Sequence, residues 1–301
     1  MSDDRPPDKA IAQALRTFCD GELSTEMALM RLILATESAA ELDDLIEDAA
    51  LRAPSTAERI RTIGVLGRQY AHVWPTVRAA ATAVQLSPLG PATTTEYLRK
   101  LAADFDMAAR LSPEASVALY SFGDPRRLKD ATEEVVRWMR SAGMLKREYR
   151  VLDIGCGIGR LECALCGMCK EIVGVDISES MVDIARRRCF GLAGIDIRLV
   201  SGLGLQDFAG ASFDLVVAMD TMPYLVSAGG NLAERHFADA ARVLRPSGDL
   251  LVLNYSYRDS LELDRTEVRR HADACGLATI RNGLRPFRHW DGAIFHFRKN
   301  C

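Results

Sequence analysis

The stretch Arg150-Val151-Leu152-Asp153-Ile154-Gly155-Cys156-Gly157-Ile158-Gly159-Arg160 decides how this chain is to be read. A short apolar run ends in an acid, and glycines follow at alternate positions. Glycine lacks Cβ, so it enters the left-handed region freely and lets backbone approach a ligand. A strand, a tight glycine turn and a helix N-terminus together form a binding place for a nucleotide-like molecule. The expectation is a nucleoside-cofactor enzyme whose later residues complete that place.

Outward from this stretch, the period changes on either side. After Tyr149, apolar strands alternate with helical segments, which signals a parallel sheet with crossover helices. Strands are expected at 150–154, 172–176, 196–200, 214–219 and 249–255, with helices at 158–168, 179–189, 231–244 and 265–275 and a short connection at 203–208. Arg245-Pro246-Ser247-Gly248 reads as a turn into the fifth strand. Two final strands, 278–282 and 293–298, are expected to form an antiparallel hairpin through Trp290-Asp291-Gly292.

Before residue 111 the pattern is helical with almost no strand signal. Ser38 with Glu41, Ser55 with Glu58, and Thr93 with Glu96 each have capping-box spacing ahead of an apolar stripe. Ser24 starts a further helix, Pro75 should kink or end another, and Ser87-Pro88-Leu89-Gly90-Pro91 is a break. The expected organisation is a helical N-terminal domain over 1–111, a connector and possible lid over 112–125 carrying Tyr120 and Phe122, and an α/β domain over 126–301 opened by a helix from Arg126 to Ser141.

Composition narrows the classes. The 301 residues suit roughly two domains at about 150 residues each. A formal net charge of −3 gives no electrostatic case for nucleic acid or an anionic membrane. No apolar run reaches the roughly 18 residues of a membrane span. The polar start, Met1 to Pro7, lacks a signal-peptide core and reads as disordered. Eight cysteines in a chain of this length read as reduced thiols of a cytoplasmic protein.

Two acids and a spacing name the cofactor. Asp176 ends the second strand, where a carboxylate can accept both hydroxyls of a ribose. That placement alone does not separate NAD from other nucleosides. A dinucleotide site prefers G-x-G-x-x-G, with room for pyrophosphate on the helix N-terminus. Here the glycines run G-x-G-x-G, and Asp153 precedes them. A carboxylate there repels pyrophosphate, which disfavours an NAD-dependent dehydrogenase, and suits a cationic ligand bearing an amino-acid portion, as S-adenosylmethionine does.

Val151 to Gly159 resembles motif I of the class I S-adenosylmethionine-dependent methyltransferases. Gly174-Val175-Asp176-Ile177-Ser178 resembles that family's second-strand motif, Ser212 to Met219 its fourth strand, and Ala241 to Gly248 its "vLkPGG" turn, with Ser247 replacing the first glycine. The resemblance covers about residues 126–301. It implies a Rossmann-like α/β fold with a seven-stranded sheet of order 3-2-1-4-5-7-6, only the last strand antiparallel. It also implies that Asp153, Ile154, Gly155, Cys156 and Gly157 line the methionine and ribose portions and that Asp176 and Ile177 hold the ribose. Met181, Gly202 and Leu203 would lie near adenine, and Met219 and Asp220 would close the site. Many relatives carry an acid near position 203. With Leu203 there, adenine recognition falls to backbone groups or to Asp207 reaching back.

The run Cys163-x-x-Cys166-x-x-Cys169 has iron–sulfur spacing, yet it falls in the helix expected after the glycine loop. Positions three apart spread over about 120° of a helix, a face that packs on a sheet and cannot close around an ion. No metal is expected, and Cys156 reads as a small loop residue.

The acceptor side is less legible. Met222-Pro223-Tyr224-Leu225 follows the fourth strand and superficially resembles the N-P-P-Y motif of base amino methylation. Thr221 and Met222 replace its first two residues, so a nucleic-acid acceptor is not expected. Tyr120, Tyr224, His236 and Tyr255 are the candidate catalytic groups, with Tyr257 beside them. Arg285 to Trp290 could meet an acidic acceptor. The reading is a methyltransferase acting on O or N of a small-molecule acceptor, with a possible homodimer through the N-terminal helices. The alternative is a cofactor-binding but non-catalytic partner or regulatory subunit.

Overall fold

The strands form because β-branched and leucine-rich runs are buried on both faces, as crossover helices require. A computed structural model describes residues 6–84, 93–258 and 260–300. The expected break at Ser87 to Pro91 and the polar start before Pro6 lie outside them. In chain order the elements are α1 (Pro6–Cys19), α2 (Thr25–Ala35), α3 (Ala39–Arg52), α4 (Ala57–Gln69), α5 (Trp74–Ala83), α6 (Thr94–Leu111), α7 (Pro113–Val117) and α8 (Pro125–Ser141). Then come β1 (Arg150–Ile154), α9 (Arg160–Leu165), β2 (Glu171–Asp176), α10 (Glu179–Arg188), β3 (Ile195–Leu199), β4 (Phe213–Met219), α11 (Met222–Ala228) and α12 (Leu232–Val243). β5 (Leu244–Leu253), α13 (Leu261–Ala274), β6 (Leu277–Leu284) and β7 (Ile294–Lys299) complete the chain.

These elements form two compact units, whose described residues are 6–84, 107–131 and 287–291 in the first and 93–106, 132–286 and 292–300 in the second. The divisions between these units fall inside α6 and α8, two continuous helices.

In the first unit, caps set the helix starts. The Ser24 hydroxyl accepts from Met27 N at 3.2 Å, and α2 buries Leu29, Leu32 and Ile33. Ser38 accepts from Glu41 N at 3.1 Å, while the Glu41 carboxylate accepts one residue further out, from Glu37 N at 2.6 Å. The expected box at Ser55 and Glu58 does not form. Pro54–Thr56 is a single 3-10 turn that places Ser55 inside helical backbone, and no side chain caps α4. Pro75 also differs from expectation. It lies in the first turn of α5, where its missing N–H has no intrahelical partner to lose, so it starts a helix. α3 and α4 approach closely because Gly64 and Gly67 face Ile46 and Leu42, where a Cβ would stand 3.2 Å and 2.9 Å away.

The second unit holds a seven-stranded sheet of order β3-β2-β1-β4-β5-β7-β6, with β7 antiparallel to both neighbours. The fold class and strand order agree with the sequence. At the start of α6 the Thr93–Glu96 box does form: Thr93 N donates to Glu96 Oε2 at 2.7 Å and Glu96 N to Thr93 Oγ1 at 3.3 Å. Other boundaries shift. α9 is shorter than the expected 158–168, because Gly159 at φ 76° caps its start and Cys166 leaves the helical region at ψ 130°. Only Cys163 of the cysteine run is therefore helical. Arg245 to Gly248 is not a turn ahead of β5 but an irregularity within it, the register stepping from Phe213–Leu244 to Leu215–Asp249.

Candidate functional site

The carboxyl ends of β1 and β2 are sewn together by backbone. Asp153 lies opposite Gly174 in register, and the chain then turns away through Gly155 at φ 77° and Gly157 at φ 54°. Gly155 N and Cys156 N both donate to Val175 O, at 2.8 and 3.0 Å. A Cβ on Gly155 would collide with the Thr221 side chain, whose hydroxyl donates to Ile154 O at 2.6 Å. Gly157 N donates to Asp176 Oδ2 at 2.9 Å, and Ser178 N to Oδ1 at 2.9 Å. Burial raises the Asp176 carboxyl above its ordinary range, and these amides pull it partway back.

Behind the loop sits a second acid that sequence reading missed. Glu162, on α9, is fully buried beside Asp153, and Gly174 makes the room: a Cβ there would stand 2.5 Å from Glu162 Oε1. Burial lifts Asp153 to about 7, with the adjoining Glu162 and Arg160 opposing that rise. Burial, then the Asp153 charge, lifts Glu162 well above the carboxylate range. Among the described residues no N–H or hydroxyl donor reaches Asp153 Oδ1 or either Glu162 oxygen, which leaves the two carboxyls to share a proton with each other. The signal was a carboxylate on a helix expected to pack against a strand carrying a glycine.

A wall of α6 completes this end of the unit. Asp106 Oδ1 accepts from Ser178 Oγ at 2.6 Å and Ser180 N at 2.8 Å, over the start of α10. Leu98 and Ile177 bracket Gly202, whose φ of 74° follows β3. Phe105 meets Tyr224 edge-on, ring centroids 5.0 Å apart, and Tyr224 meets Tyr257 at 6.0 Å. The Tyr97 hydroxyl is buried with no partner among the described residues. Asp220 and Asn254, at the ends of β4 and β5, both occupy left-handed backbone at φ 54° and 72° and share a hydrogen bond of 3.0 Å. Non-glycine residues held there concentrate at working sites.

The expected cofactor residues Asp153 to Gly157, Asp176, Ile177, Met181, Gly202, Leu203, Met219 and Asp220 all sit at or just beyond these strand ends, with Met181 and Met219 buried. Asp207 is exposed. The catalytic candidates scatter. Tyr224 stands in the aromatic wall. Tyr255 is core, packed with Phe237, His271 and Phe295. His236 is buried on α12 with Nδ1 2.9 Å from Leu232 O, and burial lowers its pKa. Tyr120 belongs to the first unit, buried in a short 3-10 turn. Phe122 of the same connector packs on Tyr70 at 5.0 Å. No group of three or more histidine, cysteine or acidic side chains able to hold a metal occurs among the described residues.

The donor set suits a nucleoside with a cationic amino-acid arm. It offers a buried carboxyl oxygen at Asp153 that no N–H or hydroxyl reaches, a second carboxylate at Asp176 with lone pairs to spare, and a glycine-rich loop whose Cys156 and Ile158 side chains are buried.

Residues 152–252 match a family model described as a methyltransferase domain. Over 124 residues the chain is 34% identical to demethylmenaquinone methyltransferase of Tropheryma whipplei, covering 40% of this chain and 48% of that one. Over 104 residues it is 33% identical to the ubiquinone biosynthesis O-methyltransferase of Sinorhizobium fredii, covering 34% and 40%. The chain thus spans about half the length of the curated relatives it matches. Among solved structures it resembles phosphoethanolamine N-methyltransferase 1 of Haemonchus contortus in complex with phosphoethanolamine and S-adenosylhomocysteine. That likeness has a TM-score of 0.50 at 15% identity, covers 69% of this chain and 49% of that one, and shows the fold alone.

Proposed function

We propose that this chain is a class I S-adenosylmethionine-dependent methyltransferase and that it moves a methyl group to an O or N atom of a small-molecule acceptor by in-line displacement. The observation that carries this reading is the joined end of β1 and β2, where no N–H or hydroxyl donor reaches buried Asp153 Oδ1 and Asp176 is fixed by the Gly157 and Ser178 amides.

When bound, S-adenosylmethionine supplies a methyl on a sulfonium, already activated for displacement. The chain's own task is then to orient the reactants and exclude water. Asp176 would accept the ribose hydroxyls, Asp153 would face the amino-acid arm beside Gly155 and Gly157, and Ile177, Met181, Gly202 and Leu203 would flank adenine. With Leu203 where an acid is common and Asp207 exposed, adenine would be read by backbone groups. Met219 and Asp220 would close the site toward the acceptor. Tyr97, Phe105, Tyr224 and Tyr257 offer that acceptor an aromatic wall, which suits a molecule with a planar apolar part. Tyr97 supplies a hydroxyl free to bond its oxygen or nitrogen.

A catalytic domain within 126–301, a helical N-terminal domain, a homodimer through the N-terminal helices and a cytoplasmic setting belong to the same proposal. In its support, the cysteines are free among the described residues, and no described helix is long and apolar enough to cross a membrane. A second reading, a cofactor-binding partner without turnover, draws on His236 and Tyr255, which are committed to the core and so offer no base.

Calorimetry with S-adenosylmethionine, S-adenosylhomocysteine and NAD tests the donor. The first two should bind and NAD should not. Methyl transfer over a panel of phenols, quinols and amines then separates enzyme from partner, and binding without any product would favour the partner.

A further inference from the structure

Among the contacts of the cysteine run, the shortest joins two thiols outside the cofactor loop. Cys163, on α9, and Cys189, directly after α10, bring their sulfurs to 3.3 Å. We propose that this pair is a hydroperoxide-sensitive modification site, at which Cys163 is the attacking thiol and Cys189 resolves it into an intramolecular disulfide.

The two thiols differ as such a division of labour requires. Cys163 is partly exposed, whereas Cys189 is buried, its Sγ 3.8 Å from Gly159 O. The contact with Cys189 holds the Cys163 thiol down at about 7, against burial and with help from Arg188, so a thiolate is available at neutral pH. The same contact and burial push Cys189 up. Closing the pair asks the sulfurs to approach by about 1.3 Å, to the covalent distance near 2.05 Å. Cys166 and Cys169 lie beyond the end of α9 and make no such contact, and Cys156 is buried with its thiol raised by burial.

The chemistry balances with a hydroperoxide as oxidant. The Cys163 thiolate attacks the outer peroxide oxygen, an S–O bond forms as O–O breaks, and the alcohol (water, for hydrogen peroxide) leaves with a proton. Cys189 sulfur then attacks the sulfenic sulfur. The S–S bond forms, S–O breaks, and the departing hydroxide takes the Cys189 proton to leave as water. Two thiols are oxidised by two electrons and one peroxide is reduced.

The pair also lies where closure reaches the donor loop. A Cβ on Gly159 would stand 3.2 Å from Cys189 Sγ, so the sulfur rests against the residue that turns the loop into α9.

The test treats the full chain with about one equivalent of hydrogen peroxide, blocks remaining thiols and maps the peptides without reduction. The expected major product joins the Cys163 and Cys189 peptides and disappears on adding dithiothreitol. Cys189→Ser should leave a sulfenic acid at Cys163 that dimedone traps, Cys163→Ser should abolish both products, and Cys166→Ser should change neither. Dominant Cys163–Cys166 linkage, or oxidation elsewhere while Cys163 stays reduced, overturns the proposal. These readouts need no methyl acceptor, so they stand apart from the activity.

Discussion

The carboxyl ends of β1 and β2 and those of β4 and β5 occupy the same edge of one sheet and are built differently. The first pair is closed by backbone: amides of Gly155, Gly157 and Ser178 meet Val175 O and the Asp176 carboxylate. The second is closed by side chains, with Asp220 and Asn254 bonded to each other in left-handed backbone and Tyr224 wedged between Phe105 and Tyr257. Backbone closure demands glycines at set positions, so it writes itself into the sequence. Side-chain closure can be met by many residues and leaves no such trace. Under the proposed function the common donor belongs at the first pair and the particular acceptor at the second.

The strongest way to break that assignment is Asp176→Ala. Two hydrogen bonds to a charged group, at about 1.5–3 kcal/mol each, make a loss of cofactor affinity of roughly 10²- to 10⁴-fold the expected result. Asp176 also pins Gly157 N and Ser178 N, so melting temperature should fall while circular dichroism stays native. Asp176→Asn, which keeps one accepting oxygen, should lie between. Calorimetry showing unchanged affinity in the alanine variant would remove the ribose role.

The same contrast explains what could be read in advance. Strand positions follow from apolar runs bounded by glycine and acid, β1 residue for residue, whereas the strand order comes from the resemblance to the methyltransferase family. Glu162 escaped because its place depends on the missing side chain of Gly174, a neighbour known only once β1 and β2 pair. Asp106 escaped because it reaches Ser178 and Ser180 across 72 and 74 residues. The capping signal at Ser55 failed since Pro54 imposed a 3-10 turn ahead of α4, a local effect stronger than the pattern. His236 and Tyr255 looked available because a sequence shows chemical type and not burial.

Phe105→Ala sharpens the acceptor half. Removing one aromatic partner of Tyr224 forfeits about 1–1.5 kcal/mol of ring contact, so KM for an aromatic acceptor should rise roughly tenfold while cofactor affinity holds. Equal losses in both would place Phe105 at the donor. Tyr97→Phe should leave cofactor affinity unchanged and lower kcat/KM by a smaller factor, about 1 kcal/mol or roughly fivefold, through one neutral hydrogen bond.

Acidity probes the donor half by another route. Asp153, lifted to about 7, and Glu162, lifted above its ordinary range, bind protons in the folded chain that the unfolded chain has released above about pH 4–5. Their contribution to stability is thus complete below the unfolded carboxylate range and is lost as pH rises through 7. The ligand-free melting temperature should fall by several degrees between pH 5.5 and 8.5, and Glu162→Gln, which keeps a donor but cannot ionise, should flatten that fall. A variant with the wild-type slope would mean that the pair is not what titrates.

The smallest effect belongs to a position outside both halves. Ser247 stands at φ 62° in the exposed irregularity of β5, where the family turn carries glycine. A non-glycine residue in that region costs on the order of 1 kcal/mol, so Ser247→Gly should raise the melting temperature by about 2–4 °C, less whatever glycine gives back in unfolded-chain entropy. Gly248 beside it must stay glycine, since a Cβ there would stand 2.9 Å from Arg245 O and 3.1 Å from Asp214 O. The two adjacent positions therefore respond in opposite senses: a gain at 247, and a loss for Gly248→Ala. Cofactor affinity should be indifferent to the first change, because the irregularity lies at the opposite end of β5 from Asn254. A change in affinity with Ser247→Gly would show that strain in β5 is transmitted along the strand to its carboxyl end.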